Sequence, residues 1–175
     1  MNHPADQHEQ GNSCRQSAAG GPTLIIESAG QRYGLPVESV LKVAAMVSIT
    51  RLPKAPDFVA GVIDFHGQVI PVIDLRWRLQ QPIRPYTLRV PLVISRLNGR
   101  TIALAVDAVR AVVDLQPSQV QTPVQVFPPA LQTSHLLGLA RLDDGIVLLL
   151  DPQTFLSPAE ETSLQQTLPP GEASP

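Results

Sequence analysis

The chain has 175 residues, 43% of them hydrophobic and only 16% charged, with 18 prolines and 11 glycines. That composition suits a turn-rich β protein with a Val, Ile and Leu core, and it excludes a helical bundle, which would use more Ala, Glu and Lys. A formal net charge of −2 leaves no basic excess to neutralise phosphates, so the simplest nucleic-acid reading falls away. The single cysteine, Cys14, can form neither an internal disulfide nor a cysteine-based zinc site, which points to an intracellular protein. The longest uncharged apolar run, 145–150, is far short of the about 20 residues that cross a membrane.

In chain order, residues 1–22 are poor in apolar side chains and are expected to form a disordered N-terminal tail. The folded domain is expected over 23–156, with 12 basic against 10 acidic residues, about +2. Strands 23–27 and 31–36 flank Ser28-Ala29-Gly30, and strands 59–65 and 68–73 flank His66-Gly67. Asp74 then caps a helical turn over 75–79. Strands 90–97 and 100–106 flank Asn98-Gly99, the strongest short hairpin signal. A turn of helix is expected at 128–132, then strands 136–142 and 146–150 around Asp143-Asp144-Gly145. Asp151-Pro152 predicts a second helical turn at 154–156, and 157–175 reads as a flexible or partly helical tail, with a short helix around 159–168.

Self-similarity is the most informative feature. YGLPVESVLKV (33–43) aligns with IALAVDAVRAV (102–112), 69 residues on, matching Leu35 to Leu104 and Glu38 to Asp107. GVIDFHGQVIPVID (61–74) aligns without gaps with GLARLDDGIVLLLD (138–151), 77 residues on, matching Gly61 to Gly138 and Asp74 to Asp151. Each copy reads as strand, acidic residue, strand, linker, Gly-headed hairpin and Asp-capped turn. Four or five short strands per copy suit a small closed barrel, which leaves no exposed sheet edge. The expected fold is therefore all-β: two small barrels packed on a shared hydrophobic seam, with short helical turns.

No catalytic set emerges. There is no G-x-S-x-G, no G-x-x-x-x-G-K and no G-x-G-x-x-G. His66 reads as a hairpin-tip residue and His135 as a loop residue, with no ligand pattern around either, so no metal or cofactor is expected. Asp74 and Asp151 are explained as caps, and Trp77 as a plug at the seam or under its helix. An apolar two-lobed scaffold of this kind has the profile of an interaction module.

The block P-x-A-P-x-F-V-x-G-V-I-x-x-x-G-x-V-I-P-V-I-D-L-R (53–76), with YGLPVESVLKV before it and SRLNGRTIALAVDAVRAV and LLGLARLDDGIVLLLDPQTFL after it, resembles the CheW-like domain. The resemblance covers about 23–156. It implies two SH3-like five-stranded β-barrels and a non-enzymatic adaptor of bacterial chemosensory signal transduction. Such an adaptor joins chemoreceptor cytoplasmic tips to the regulatory domain of a CheA-type histidine kinase, without nucleic acid or direct membrane insertion. It is cytoplasmic and recruited to membrane-associated receptor arrays. An accessory role in a pili or second-messenger pathway, or an altered paralogue, is the alternative.

Two departures from the family pattern stand out. The usual V-x-E-V is Val40-Leu41-Lys42-Val43, and the usual N-L-R-G is Asp64-Phe65-His66-Gly67. The resemblance places Val40, Lys42, Gly61, Asp64 and His66 on the partner-binding surface. Losing an acid and a guanidinium there reads either as changed partner choice or as neutral drift at a surface, and Lys42 is expected to be able to pair with Asp64.

Overall fold

The computed structural model describes residues 20–122 and 135–168. The turn expected at 128–132 lies outside them. Along the chain run β1 (Gly21–Ser28), β2 (Gln31–Pro36), β3 (Val40–Ala45), β4 (Val59–Phe65) and β5 (Gln68–Asp74), then the single-turn α1 (Leu75–Arg78). They are followed by β6 (Pro91–Leu97), β7 (Arg100–Ala105), β8 (Ala108–Leu115), β9 (Val120–Gln121), β10 (Leu136–Leu142), β11 (Gly145–Leu150) and α2 (Pro158–Thr167). Three hairpins turn on residue pairs with both φ positive: Ala29-Gly30, His66-Gly67 and Asn98-Gly99. Such a turn matches the twist of the strands it joins.

The strands form two sheets, ordered β8-β1-β2-β11-β10-β9 and β3-β6-β7-β5-β4. The internal repeat is visible in every register. Thr23 pairs with Pro36 as Leu92 pairs with Ala105. Leu24 faces Val112 as Val93 faces Val43, and each ladder slips at the same place, between Ile25 and Ile26 in one and between Val40 and Lys42 in the other. The bulges between Val59 and Gly61 and between Leu136 and Gly138 also coincide. Even the parallel junctions agree, Gly34 with Leu149 and Ala103 with Val72.

One expectation needs correcting. A copy of the repeat is not a barrel. The β1–β2 hairpin lies in one sheet with β8, β10 and β11, whereas β3, β4 and β5 of its own copy join β6 and β7. The two copies exchange their first hairpins, so each barrel is built from both. The physical cause is the short connection Val37–Ser39, a single 3-10 turn that sends the chain from β2 in one sheet to β3 in the other.

This exchange explains three clusters of apolar side chains. Leu24, Ile26, Val93, Ile102, Leu104, Ile73 and Leu150 meet on the seam between the sheets. Their neighbours Leu92, Ile94, Ala103, Ala105, Ile70 and Val72 fill one barrel, and Ile25, Val147 and Leu149 fill the other. Alternate residues of a strand point to opposite faces. Both faces are buried here, so the strands read as continuous apolar runs.

Asp74 caps α1 as expected, its Oδ1 accepting from the Arg76 amide at 2.8 Å. Asp151 accepts from the Gln153 amide at 2.8 Å, but the helical turn expected at 154–156 is absent. Those residues run through a turn and bends instead: the Leu156 amide donates to Asn98 Oδ1 (3.0 Å), and Phe155 and Leu156 are buried in the seam. Beyond Leu156 the chain forms α2. Ser157 and Glu160 build a capping box, Leu164 is fully buried, and Arg100 donates to the Leu168 carbonyl at 2.7 Å.

Candidate interaction surface

The residues singled out from the sequence fall into two pairs and a buried glycine. Val40 and Lys42 lie on β3 and Asp64 and His66 at the β4–β5 turn, with β3 and β4 at opposite ends of the strand order. The sheet curls so that Thr50, beyond β3, bonds to Val62 of β4 through both backbone groups, at 2.9 and 2.8 Å. Gly61 sits beside that junction with φ of +152°, and a Cβ there would stand 2.5 Å from the Thr50 carbonyl oxygen. Gly138 meets the Gln121 carbonyl in the same way in the other barrel. Gly61 is buried, and the side chain it lacks is what lets the barrel close here.

Lys42, Asp64 and His66 are exposed, and Val40 is half-buried against the seam. Asp64 Oδ1 accepts from the Gly67 amide at 2.9 Å, closing its own turn. An asparagine oxygen would accept the same bond, so the Asp64 departure preserves the turn while adding charge. His66 has φ of 54°, and its ring meets the Phe65 ring edge-on, with centroids 4.4 Å apart. The expected Lys42–Asp64 ion pair does not form: Lys42 lies on β3 and Asp64 on β4, at opposite ends of the strand order.

A polar network that the sequence did not reveal ties the two sheets together. The Arg76 guanidinium, only 8% exposed, grips both oxygens of Asp107 and donates to the Pro82 carbonyl at 3.0 Å. Asp107 also accepts from the Ala29 amide at 2.6 Å. Burial pushes the Asp107 carboxyl up, but the bonds from Arg76 and Ala29 outweigh it and hold the group below the usual carboxylate range. Asp74 Oδ2 accepts from the Tyr86 hydroxyl at 2.7 Å; burial first, and then Asp74, push the Tyr86 phenol well up. On the other side of α1, Arg78 bonds to the Phe155 carbonyl (2.8 Å) and Glu160 (3.2 Å). Trp77 packs on the seam cluster beside Phe58, ring centroids 5.7 Å apart. The available clue to Arg76 was its place inside a short buried helix, since a buried guanidinium requires a carboxylate partner.

Among the described residues, no three His, Cys, Asp or Glu side chains gather as a metal site. His66 and His135 stand apart, one at a turn and one before β10, where burial and then Arg78 lower the His135 pKa. No helix among the described residues is long and apolar enough to cross a membrane.

The family model of the CheW-like domain matches residues 22–160. The chain is 30% identical to the chemotaxis protein CheW of Klebsiella aerogenes over 141 residues, 81% of this chain and 84% of that protein. It is 25% identical to the chemotaxis protein CheW of Rhizobium meliloti over 151 residues, covering 86% and 96% of the two chains. The crystal structure of the scaffolding protein TtCheW from Thermoanaerobacter tengcongensis superposes with a TM-score of 0.71 at 27% identity, covering 81% of this chain and 95% of that one.

Proposed function

We propose that this chain, which belongs to the CheW-like domain family, is a non-enzymatic adaptor of a bacterial chemosensory system. The observation that carries the reading is that one family match spans both exchanged barrels and the segment leading into α2, so the whole described fold is the scaffold itself. At the level of the family the role is that of scaffold rather than enzyme.

The finer reading names the partners: the regulatory domain of a CheA-type kinase and the cytoplasmic tip of a chemoreceptor, met at a receptor array. Exposed Leu41 and Val43 flank Lys42 on β3, and exposed Val69 pairs with Asp64 across the β4–β5 hairpin; apolar side chains beside charged ones suit a reversible protein interface and support it. The surface proposed for these partners is built by Val40, Lys42, Asp64 and His66, with Gly61 holding the closure behind them. Titration calorimetry of the chain against the kinase regulatory domain from its own organism tests this. Saturable one-to-one binding that weakens with salt is expected; the absence of heat at every concentration up to the millimolar range would overturn it.

A further inference from the structure

The two barrels differ at one mouth. In the barrel that β3 to β7 form, Tyr86 stands between two hollows and lines both. Met46 and Ala60 help to wall the one, and Val90, Ala105, Val106 and Asp107 wall the other, which is left with about 30 Å³. The 79–90 connection ahead of β6 brings the ring there, and its hydroxyl is tied to Asp74 at 2.7 Å.

The repeat gives each of these walls a counterpart. At offsets of 69 and 77 residues, Met46, Val90, Ala105, Val106 and Asp107 match Leu115, Gly21, Pro36, Val37 and Glu38, and Ala60 matches Leu137. All six counterparts line a single cavity of about 270 Å³ in the other barrel, together with Leu149. The same offset sets Ser17, which has no ring, against Tyr86. The chain also enters β1 by another route, through Gly20 and Gly21 with φ of 131° and 115°, whereas Arg89 and Val90 ahead of β6 have no positive φ. One barrel thus carries its own aromatic plug, and the matching space in the other is open.

The charges follow the same pattern. Asp107 is gripped by Arg76 and faces Arg84, two residues before Tyr86. Its counterpart Glu38 is exposed, is the only charged side chain lining the open cavity, and has no bonded partner among the described residues. The uncharged Gln153 holds the position that matches Arg76. The cavity is smaller than the about 300 Å³ at which small-molecule sites begin, and apolar walls with one polar group at the rim suit a single aromatic side chain.

We propose that this cavity receives an aromatic ring from a partner protein, presented in an Arg-x-Tyr segment that copies Arg84-Pro85-Tyr86, with the partner's arginine on Glu38. A ring held in a desolvated pocket and a cation at its rim are a common anchor of protein interfaces. The cavity is walled by β1, β2, β8, β10 and β11, away from the sheet that carries Val40, Lys42, Asp64 and His66. Its test uses neither kinase nor receptor.

The probe is the chain's own plug as a free peptide, residues 83–88 blocked at both ends, titrated into the isotopically labelled full chain. Amide shifts should cluster on Thr23, Glu38, Leu115, Leu137 and Leu149. The peptide with Tyr86→Ala should bind at least tenfold more weakly, and the peptide with Arg84→Glu severalfold more weakly, the latter difference shrinking with salt. Glu38→Arg in the chain should reverse the preference between the Arg84 and Arg84→Glu peptides; Glu38 is exposed, and urea denaturation checks that the variant remains folded. No binding up to the millimolar range, shifts centred elsewhere, equal affinity for the Tyr86→Ala peptide, or a charge preference unmoved by Glu38→Arg would overturn the proposal. Binding seen only when residues 1–19 are removed or with Phe127→Ala would make the chain its own occupant and overturn it as well.

Discussion

Gly61 lies against the carbonyl of Thr50, so close that its missing Cβ is a condition for closing the barrel. Gly61→Ala must therefore displace backbone as well as adopt a φ that L residues avoid. Strain of about 1–3 kcal/mol and overpacking of a similar size predict a loss of about 2–6 kcal/mol. Gly138→Ala meets the Gln121 carbonyl without the positive φ, so it should cost only the overpacking part, about 1–3 kcal/mol. Urea denaturation of each variant checks this. Any loss of partner binding in Gly61→Ala should track the fraction unfolded; a fully stable variant that no longer binds would show that Gly61 is itself part of the interface.

The repeat supplies a natural compensation experiment. Gly34 faces Leu149 in one barrel where Ala103 faces Val72 in the other, so a methylene has moved from one partner to the other. A Cβ on Gly34 would stand 2.8 Å from Leu149 Cδ2 and 2.7 Å from Thr23 Cγ2. Gly34→Ala alone should cost about 1–3 kcal/mol. Adding Leu149→Val should recover part of that, a coupling of about 0.5–2 kcal/mol in a double-mutant cycle. Strict additivity would mean that the two barrels do not pack alike.

The strands, their hairpins and the repeat were legible because turn pairs and glycine-led bulges are local signals. The exchange of hairpins was not. Both faces of β1, β6 and β7 are apolar, so periodicity gave no sign of which sheet each strand would join. The sequence pointed to Lys42 and His66 only through comparison with the family pattern. Arg76 and Asp107, 31 residues apart, meet only once the fold is formed.

Acid should expose the Arg76–Asp107 link. The Asp107 carboxyl is held below its ordinary range when folded, so the unfolded chain binds the extra proton as pH falls. Its contribution is fully present above the ordinary aspartate pKa, about 4, and is lost as pH drops through the lower folded value. Asp107→Asn should be destabilised at neutral pH, by about 1–3 kcal/mol because Asp107 is partly exposed while Arg76 is left buried without its carboxylate. It should also show a shallower fall in stability below pH 4. Parallel pH curves for the two proteins would contradict this assignment.

Ser95 is fully buried and its hydroxyl has no partner among the described residues. The equivalent position in the other copy is Ile26. Ser95→Ala removes an unsatisfied group at little cost in volume and should stabilise by about 1 kcal/mol, measured by thermal denaturation. Destabilisation would reveal a partner for the hydroxyl.

Lys42→Glu with His66→Arg restores the family's charges at exposed positions, so stability should move by no more than about 0.5 kcal/mol. Binding should shift instead: weaker to the chain's own kinase domain and stronger to that of a CheW carrying the usual residues. If neither affinity changes threefold, these two side chains lie outside the coupling surface.

Reconstitution tests the adaptor role most directly. Kinase, receptor fragment and this chain from one organism are combined on vesicles, and phosphoryl transfer from ATP to the kinase is followed with the chain present or absent. The chain alone should be inert, and receptor control of the kinase should appear only when it is added. Receptor control that is the same without the chain would contradict the account.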